Sequence, residues 1–319
     1  MTTASLIRTL LALAAASALP LATAAAVPNA PTGEIEKQYY ENGSHQVIYY
    51  PEFGCCDSAG YAFDVYAPDM LYVDWPLPII TFGNGTNAAP SYYDYLLRHL
   101  ASWGFVVVAT RQPNTGTGAE IRDAANFMVK ENTRPDSPFF GNLNTKRIGA
   151  MGHSQGATGA INAMRDSGGS IRTAIAMALP AQRYCSSEEN CTDTKQLKSG
   201  SVFFLNGSLD GVISPSYQAK GTKGLQSNSA YYRAMPDTLP KFWATLRGTS
   251  HNDMLGQPDC GPVGLLCTNG VYGFLGYPTA WMEYQLRGDV RSGTVFVDGT
   301  GEIFSQPKNW RHQTSNIAP

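Results

Sequence analysis

The amino-acid sequence predicts an α/β protein whose mostly parallel central sheet is flanked by helices. Short β-rich segments recur along the chain, and helical patterns separate them. From the third segment onward most of these runs are almost continuously apolar, as in parallel strands that are covered on both faces. The first two segments alternate and predict an antiparallel N-terminal edge. The predicted strands are 45–50, 61–66, 78–82, 105–110, 147–151, 172–179, 201–205 and 241–246.

Four helical patterns lie between or after these strands, at 92–103, 120–130, 156–164 and 277–286. Strands that alternate with helices of this length predict right-handed crossover connections. Because no repeat, low-complexity tract or linker divides the chain, we expect residues 27–319 to form a single domain. The tail 289–319 contains a β-like run at 294–297 and one tryptophan, Trp310, and its pattern indicates no function.

The N-terminal residues predict a secretory signal peptide over residues 1–26. Arg8 precedes an uncharged stretch rich in Leu and Ala, which ends in overlapping Ala-x-Ala sites at Ala24 and Ala26. The remaining sequence has no apolar run near the ~20 residues that a membrane helix needs. We therefore expect a secreted or periplasmic protein without a membrane segment.

Composition excludes several classes of protein. Apolar residues make up 43% of the chain, which is enough for a packed core and too much for a disordered protein. The 23 basic and 25 acidic residues nearly balance, and the basic ones are scattered. Because nucleic-acid binding needs a concentrated positive field, we expect no nucleic-acid partner. We expect the protein to be a monomer.

The six cysteines predict disulfides, because the chain is predicted to be exported. Cys185 with Cys191 and Cys260 with Cys267 are close enough in sequence for local pairing. Adjacent Cys55 and Cys56 form either a strained vicinal disulfide or bonds to distant cysteines. No Cys-x-x-Cys or His-x-x-x-His spacing supports a zinc site.

The sequence Gly-His-Ser-Gln-Gly at 152–156 predicts a catalytic serine, Ser154. A lone Gly-x-Ser-x-Gly motif is common, and an ordinary glycine-rich turn is the alternative interpretation. Here a predicted strand leads directly into the motif and a helix of small residues follows it. A strand-turn-helix elbow of this kind exposes the serine above the sheet, and its glycines remove Cβ atoms that would clash.

A serine hydroxyl needs a base, and elimination among the five histidines favours His251. His45 and His99 precede Ser154, whereas proteins built on this elbow place the histidine last. His153 is expected to point away from the serine, and His312 lies in the tail. His251 follows the last predicted strand, although a solvated loop histidine remains the alternative.

Asp210 is the predicted acid of the triad. It follows the predicted strand 201–205 and lies between Ser154 and His251 in the sequence, as the order Ser, acid, His requires. Its carboxylate would accept the Nδ1 proton of the histidine and stabilise the imidazolium. Competing acids are Asp193, Asp237 and Asp253, and a role as a simple turn cap is the alternative.

An oxyanion hole needs two preorganised N–H donors. The residue after the nucleophile, Gln155, is expected to supply one amide. The second is expected from the glycine-containing loop after the third strand, where Gly85 is the first choice and Asn84 and Thr86 are alternatives. A plain Asn-Gly turn is compatible with this role.

With these motifs the chain resembles the α/β-hydrolases. Within them it is similar to the secreted bacterial cutinase-like and polyester-hydrolase branch, and to chlorophyllase-like and platelet-activating-factor-acetylhydrolase-like esterases. The resemblance covers roughly residues 78–289 and implies the same roles for Ser154, Asp210 and His251, with no metal or organic cofactor. It rests on 79–86, 100–108, 149–156, Asp210 with Pro215, His251, and 281–289.

The sequence also departs from the polyester hydrolases at the expected aromatic clamp. Gly85 and the segment 179–182 stand where that branch carries an aromatic residue and a tryptophan, and Gln155 replaces a methionine. The departures favour the general class of ester hydrolases over a specific aromatic-polyester activity. The insertion 185–198 is expected to rebuild the cleft.

The sequence therefore predicts a secreted serine ester hydrolase that forms an acyl-enzyme with a small or polymeric ester. A lipase or a serine peptidase could use the same triad. A non-catalytic binding protein on a hydrolase scaffold is a hypothesis from a different class. A lipase predicts an apolar lid and a peptidase predicts cleavage of amides, whereas a binding protein predicts no turnover.

Overall fold

The computed structural model describes residues 29–69, 76–257, 260, 264–305 and 308–319. The predicted signal peptide, residues 1–26, lies outside the described residues. A nine-stranded sheet forms the centre of the molecule. Its strands are β1 Val47–Gly54, β2 Phe63–Pro68, β3 Leu77–Gly83, β4 Val106–Thr110, β5 Leu143–His153, β6 Ile171–Met177, β7 Ser201–Gly207, β8 Lys241–Leu246 and β9 Trp310–Ser315.

The strands lie in the order β1-β2-β4-β3-β5-β6-β7-β8-β9. The six strands from β3 to β8 run parallel, with register pairs such as Phe82 with Ala109 and Phe204 with Trp243. Strands β1 and β2 form an antiparallel edge, and β9 is antiparallel to β8. The predicted α/β class, the mostly parallel sheet and its antiparallel N-terminal edge are confirmed.

Helices cover both faces of this sheet because its central strands are apolar on both sides. In β4, Val107 and Ala109 pack into one core while Val106 and Val108 pack into the other, as the two-residue period of a strand requires. The helices are α1 Glu34–Tyr40, α2 Asp94–Ser102, α3 Ala119–Glu131, α4 Gln155–Asp166, α5 Asn228–Ala234, α6 Gly276–Met282 and α7 Val290–Thr294. α1, α2 and α6 contribute to the first core, and α3, α4 and α5 to the second.

The tail differs from the prediction. The run 294–297 was expected to be β-like, but α7 ends within it and a turn follows, because Asp289 caps a helix that begins just before this run. Val295 and Phe296, which follow the helix, are buried in the core. A strand forms later instead, at β9, where Trp310 is fully buried and the next four residues are only half-buried. None of the described helices is long and apolar enough to cross a membrane.

The tail also holds the N-terminal helix in place. Glu302 accepts hydrogen bonds from the first-turn amides of α1, at 2.7 Å from Glu34, 2.9 Å from Ile35 and 3.0 Å from Glu36. The buried carboxylate of Glu36 in turn accepts from Trp310 Nε1 at 2.8 Å, and burial raises its pKa. A seven-residue helix is too short to form on propensity alone, so α1 depends on these contacts.

We expect Glu302→Ala to lower the free energy of unfolding by about 2 kcal/mol, because three helix N-terminal amides lose their charged acceptor. The measurement is urea denaturation followed by circular dichroism. Glu34→Ala is the control, since this side chain is 83% exposed and forms only a surface ion pair with Arg291. Equal stability of the two variants would contradict the role of Glu302 in stabilising α1.

Candidate active site

Ser154 lies on a sharp turn between a strand and a helix. β5 ends at His153 and α4 begins at Gln155, so Ser154 joins them with φ 54° and ψ −123°. A Cβ atom on Gly152 would overlap the Gly156 carbonyl, and one on Gly156 would overlap the Gly83 carbonyl. The two glycines therefore allow the strained turn that presents the serine hydroxyl.

The structure brings Ser154, His251 and Asp210 together. His251 Nε2 lies 2.9 Å from Ser154 Oγ, and His251 Nδ1 lies 2.5 Å from Asp210 Oδ2. The three residues follow β5, β8 and β7, whose carboxyl ends meet at one edge of the sheet. Because a carboxylate only accepts hydrogen bonds, His251 Nδ1 is the donor to Asp210, and Nε2 is the ring nitrogen that faces the serine.

Asp210 is held in place by its own backbone partners. Its second oxygen, Oδ1, accepts hydrogen bonds from the amides of Ile213 and Ser214, both at 3.2 Å. Asp210 and His251 are both buried. Exclusion of water strengthens the interaction between the carboxylate and the imidazole ring.

The competing acids have other partners. Asp193 caps a short 3₁₀ turn through the Lys195 amide at 3.1 Å. Asp237 pairs with Lys241 Nζ at 2.7 Å, with its own side chain 94% exposed. Neither of them hydrogen-bonds to His251 within the part of the chain that the structure describes.

Asp253 organises the loop that carries His251. Its fully buried carboxylate accepts from the amide and hydroxyl of Ser250, at 2.5 and 3.0 Å, and from the amides of Thr268, Asn269 and Gly270. It thus joins the two segments on either side of the Cys260–Cys267 pair. Removal of one buried acceptor would leave several amides without a partner.

We expect Asp253→Asn to lower the free energy of unfolding by about 3 kcal/mol, because the new NH₂ group faces amide donors. Chemical denaturation measures this loss. Asp123→Asn serves as the matched control, since among the described residues that carboxylate accepts a single hydrogen bond, from the exposed Ser58 amide at 2.8 Å. A loss no larger than the control's would show that the loop is held by other contacts.

The oxyanion loop differs from the prediction at Gly85. The Gly85 amide donates to Tyr93 Oη at 2.8 Å, so this first-choice donor is already used. Asn84 is fully buried and its side chain binds the Thr110 carbonyl at 2.6 Å. Thr86 lines the cavity at Ser154, and its amide has no acceptor among the described residues. The same holds for the Gln155 amide at the N-terminus of α4.

His153 points away from the serine hydroxyl, as expected, and makes two hydrogen bonds. Its Nδ1 lies 2.9 Å from Tyr93 Oη, and its Nε2 lies 2.9 Å from the backbone carbonyl of His251. Burial, and then the nearby His251, hold the pKa of His153 well below its usual range, so the ring is neutral. Sequence reasoning missed Tyr93, because nothing distinguishes it from the neighbouring tyrosines.

A cavity of about 740 Å³ opens over Ser154 and His251. The insertion that was expected to rebuild the cleft supplies part of its wall, through Cys185, Ser186 and Asn190. Three tyrosines also line it: Tyr93 is buried, whereas Tyr92 and Tyr184 are about half exposed, at 48% and 47%. Aromatic surface therefore reaches the cavity from positions other than those at which the sequence departs from the aromatic clamp of the polyester hydrolases.

The predicted local cysteine pairs are confirmed. Cys185 with Cys191 and Cys260 with Cys267 form disulfides, with Cα separations of 5.3 and 5.8 Å. Cys55 and Cys56 pair with each other across a cis peptide bond, which was one of the two alternatives.

Among the described residues, one group of three potential metal ligands lies within 4.8 Å: Asp253, Cys260 and Cys267. Both thiols are in a disulfide, and the carboxylate is occupied by backbone amides. These residues therefore do not fit a metal ion, which needs thiolates and free carboxylate oxygens.

Residues 76–199 match the family model PETase, described as PET hydrolase-like. The match includes the oxyanion loop and the elbow at Ser154 but ends before Asp210 and His251. It confirms the resemblance to the cutinase-like and polyester-hydrolase-like α/β-hydrolases, and the sheet has the corresponding fold. Comparison with curated proteins gives no match.

Proposed function

Since residues 76–199 are similar to the PET hydrolase-like family, we propose that this protein is a serine ester hydrolase that works through an acyl-enzyme. The contact that carries the proposal is the 2.9 Å approach of His251 Nε2 to Ser154 Oγ, with Asp210 behind the same ring. A nucleophile, a base and an orienting acid in contact are the arrangement that acyl transfer requires.

In the first half-reaction Ser154 Oγ attacks the ester carbonyl carbon and His251 Nε2 takes the hydroxyl proton. The carbonyl π electrons move to the oxygen, which becomes an oxyanion. Collapse of this intermediate breaks the bond to the alcohol, and the imidazolium of His251 protonates the leaving oxygen. Asp210 holds the ring with Nδ1–H towards itself and stabilises its positive charge, but it does not take the proton.

In the second half-reaction water attacks the acyl-enzyme. His251 removes a proton from this water and then returns it to Ser154 Oγ as the carboxylic acid leaves. No net oxidation or reduction takes place. The histidine thus acts alternately as base and acid in both halves of the cycle.

The amides of Gln155 and Thr86 are the proposed oxyanion donors. Both residues line the cavity beside Ser154, and both N–H groups are without an acceptor among the described residues. The Gln155 amide also lies at the N-terminus of α4, where the helix dipole favours negative charge. Gly85 supports the donor loop through its bond to Tyr93 instead of donating to the oxyanion.

The cavity favours an ester with apolar or aromatic parts. Tyr92 and Tyr184 contribute aromatic surface to its lining, and Pro180, Ile213 and Leu255 add aliphatic surface. A small ester would fill this space and a polyester chain would cross it, so both remain in the proposed substrate class.

We also propose that residues 27–319 form one domain that functions outside the cytoplasm, as a secreted or periplasmic monomer. The three disulfides support an oxidising compartment.

The test is hydrolysis of p-nitrophenyl esters from acetyl to decanoyl, together with labelling by an alkyl fluorophosphonate and peptide mapping. We expect turnover, and a phosphonate adduct on the peptide that contains Ser154. A rate that rises steeply to the longest chains would favour a lipase, and cleavage of peptide amides would favour a peptidase. If the folded protein showed no turnover and took up no label, only a binding role would remain.

A further inference from the structure

A chain of hydrogen bonds links the oxyanion loop to the backbone of the histidine loop. The Gly85 amide donates to Tyr93 Oη at 2.8 Å, and Tyr93 Oη lies 2.9 Å from His153 Nδ1. On the other side of the ring, His153 Nε2 lies 2.9 Å from the backbone oxygen of His251. The chain therefore begins beside Thr86 and ends at the residue that contacts Ser154 Oγ.

The direction of every bond in this chain is fixed. The Gly85 amide can only donate and the His251 carbonyl can only accept, so His153 must carry its proton on Nε2. The Tyr93 hydroxyl proton then goes to His153 Nδ1, so Tyr93 Oη both accepts from Gly85 and donates to His153. Burial keeps the histidine neutral, which is the only state that can both accept from Tyr93 and donate to His251.

The chain is also tightly packed. Tyr93 and His153 are 1% and 2% exposed, and the ring centroids of His153 and His251 lie 5.0 Å apart. A Cβ atom on Gly85 would lie 2.9 Å from His153 Nδ1 and 3.1 Å from Tyr93 Oη. Glycine is therefore required there, because the oxyanion loop rests directly on these two side chains.

We propose that Tyr93 and His153 are positioning residues of the proposed ester hydrolase, which set the oxyanion loop and the catalytic imidazole relative to Ser154. His153 is suited to this role because it precedes Ser154 in the chain. The His153 ring is hydrogen-bonded to the backbone of His251 and, through Tyr93, to the loop that carries Thr86. A single buried side chain therefore fixes the positions of the nucleophile, the base and the oxyanion loop. Neither side chain hydrogen-bonds to Ser154 Oγ or to the His251 ring within the described residues.

The first test is Tyr93→Phe, which removes only the Oη atom. We expect kcat for p-nitrophenyl butyrate to fall about tenfold with KM nearly unchanged, because displacement of catalytic groups reduces rate more than binding. Tyr277→Phe is the matched control, since it removes the hydroxyl of another buried tyrosine, which bonds to Glu302 at 3.0 Å and does not line the cavity. The control should lower Tm and leave kcat unchanged.

A second pair of variants tests the histidine. His153→Phe keeps a ring but removes both hydrogen bonds, whereas His153→Gln keeps one donor and one acceptor. We expect the phenylalanine variant to lose more kcat and the glutamine variant to recover part of that loss. If Tyr93→Phe does not fold, the comparison of these two variants tests the positioning role instead.

The low-field ¹H NMR signal of the His251 Nδ1 proton gives a readout that does not depend on turnover. Tyr93→Phe should shift this signal and Tyr277→Phe should not, because only the first change removes a hydrogen bond that holds the His153 ring, and this ring contacts the His251 backbone. An unshifted signal with unchanged kcat in Tyr93→Phe would overturn the positioning role. Absence of wild-type turnover would overturn the ester-hydrolase proposal instead, and the NMR comparison would still decide whether the chain positions His251.

Discussion

Ser154→Ala should lower the kcat of ester hydrolysis by about 10⁵-fold, because no oxygen remains to form the acyl-enzyme. The remaining rate should come from the oxyanion donors and from substrate binding, which still favour attack by water. Initial rates with p-nitrophenyl butyrate, measured at high enzyme concentration, will determine this residual activity. The same variant should take no phosphonate label.

Ser167→Ala is the matched control for this experiment. Ser167 follows the other end of α4, where its hydroxyl donates to the Met164 carbonyl at 2.9 Å. This change should leave kcat unaltered. If Ser154→Ala retained more than about one hundredth of the wild-type rate, a different nucleophile would be at work, since loss of a catalytic serine has far larger effects.

Asp210→Asn should lower kcat by about 10⁴-fold with KM nearly unchanged, because it reverses the tautomer of the catalytic histidine. The new amide would donate to His251 Nδ1, so the ring proton would move to Nε2. His251 would then present an N–H group to Ser154 Oγ instead of a lone pair. The remaining oxygen can still accept from Ile213 and Ser214, so the fold should be retained.

Steady-state kinetics and thermal denaturation together test this prediction. Asp237→Asn is the control, since this surface carboxylate pairs with Lys241 and should not affect kcat. A kcat within tenfold of wild type in Asp210→Asn would mean that another group orients His251. A loss of stability as large as that of Asp253→Asn would mean that Asp210 is chiefly structural.

The core of this fold could be predicted from the sequence because its strands are apolar runs. Segments such as 105–110 and 201–205 are buried on both faces, so hydrophobicity alone marks them. β9 has no such run. Its residues 311–314 are only half-buried, and the strand exists because it pairs with the exposed edge of β8. Nothing in the local amino-acid sequence predicts a strand that depends on tertiary pairing of this kind.

The candidate site, like the fold, could be predicted from the sequence only in part. The order of Ser154, Asp210 and His251 along the chain, and the small number of histidines, were sufficient to predict three residues that the structure brings together. The proposed oxyanion donor was not predictable to the residue, because the Gly85 amide is occupied by the hydroxyl group of Tyr93, eight residues further along the chain. Which backbone amides stay free is decided by side-chain packing.

The placement of the loop between Cys185 and Cys191 has a consequence for how this molecule can acquire new specificities. The disulfide closes the loop on itself, and Asn162 joins it to the nucleophile helix with one hydrogen bond, of 3.2 Å, to the Cys191 carbonyl. The triad is instead built on the ends of strands in the core. Substitutions within the loop can therefore change the shape of the cavity while Ser154, Asp210 and His251 keep their contacts with one another. The selectivity of the cavity and the arrangement of the triad can thus vary independently.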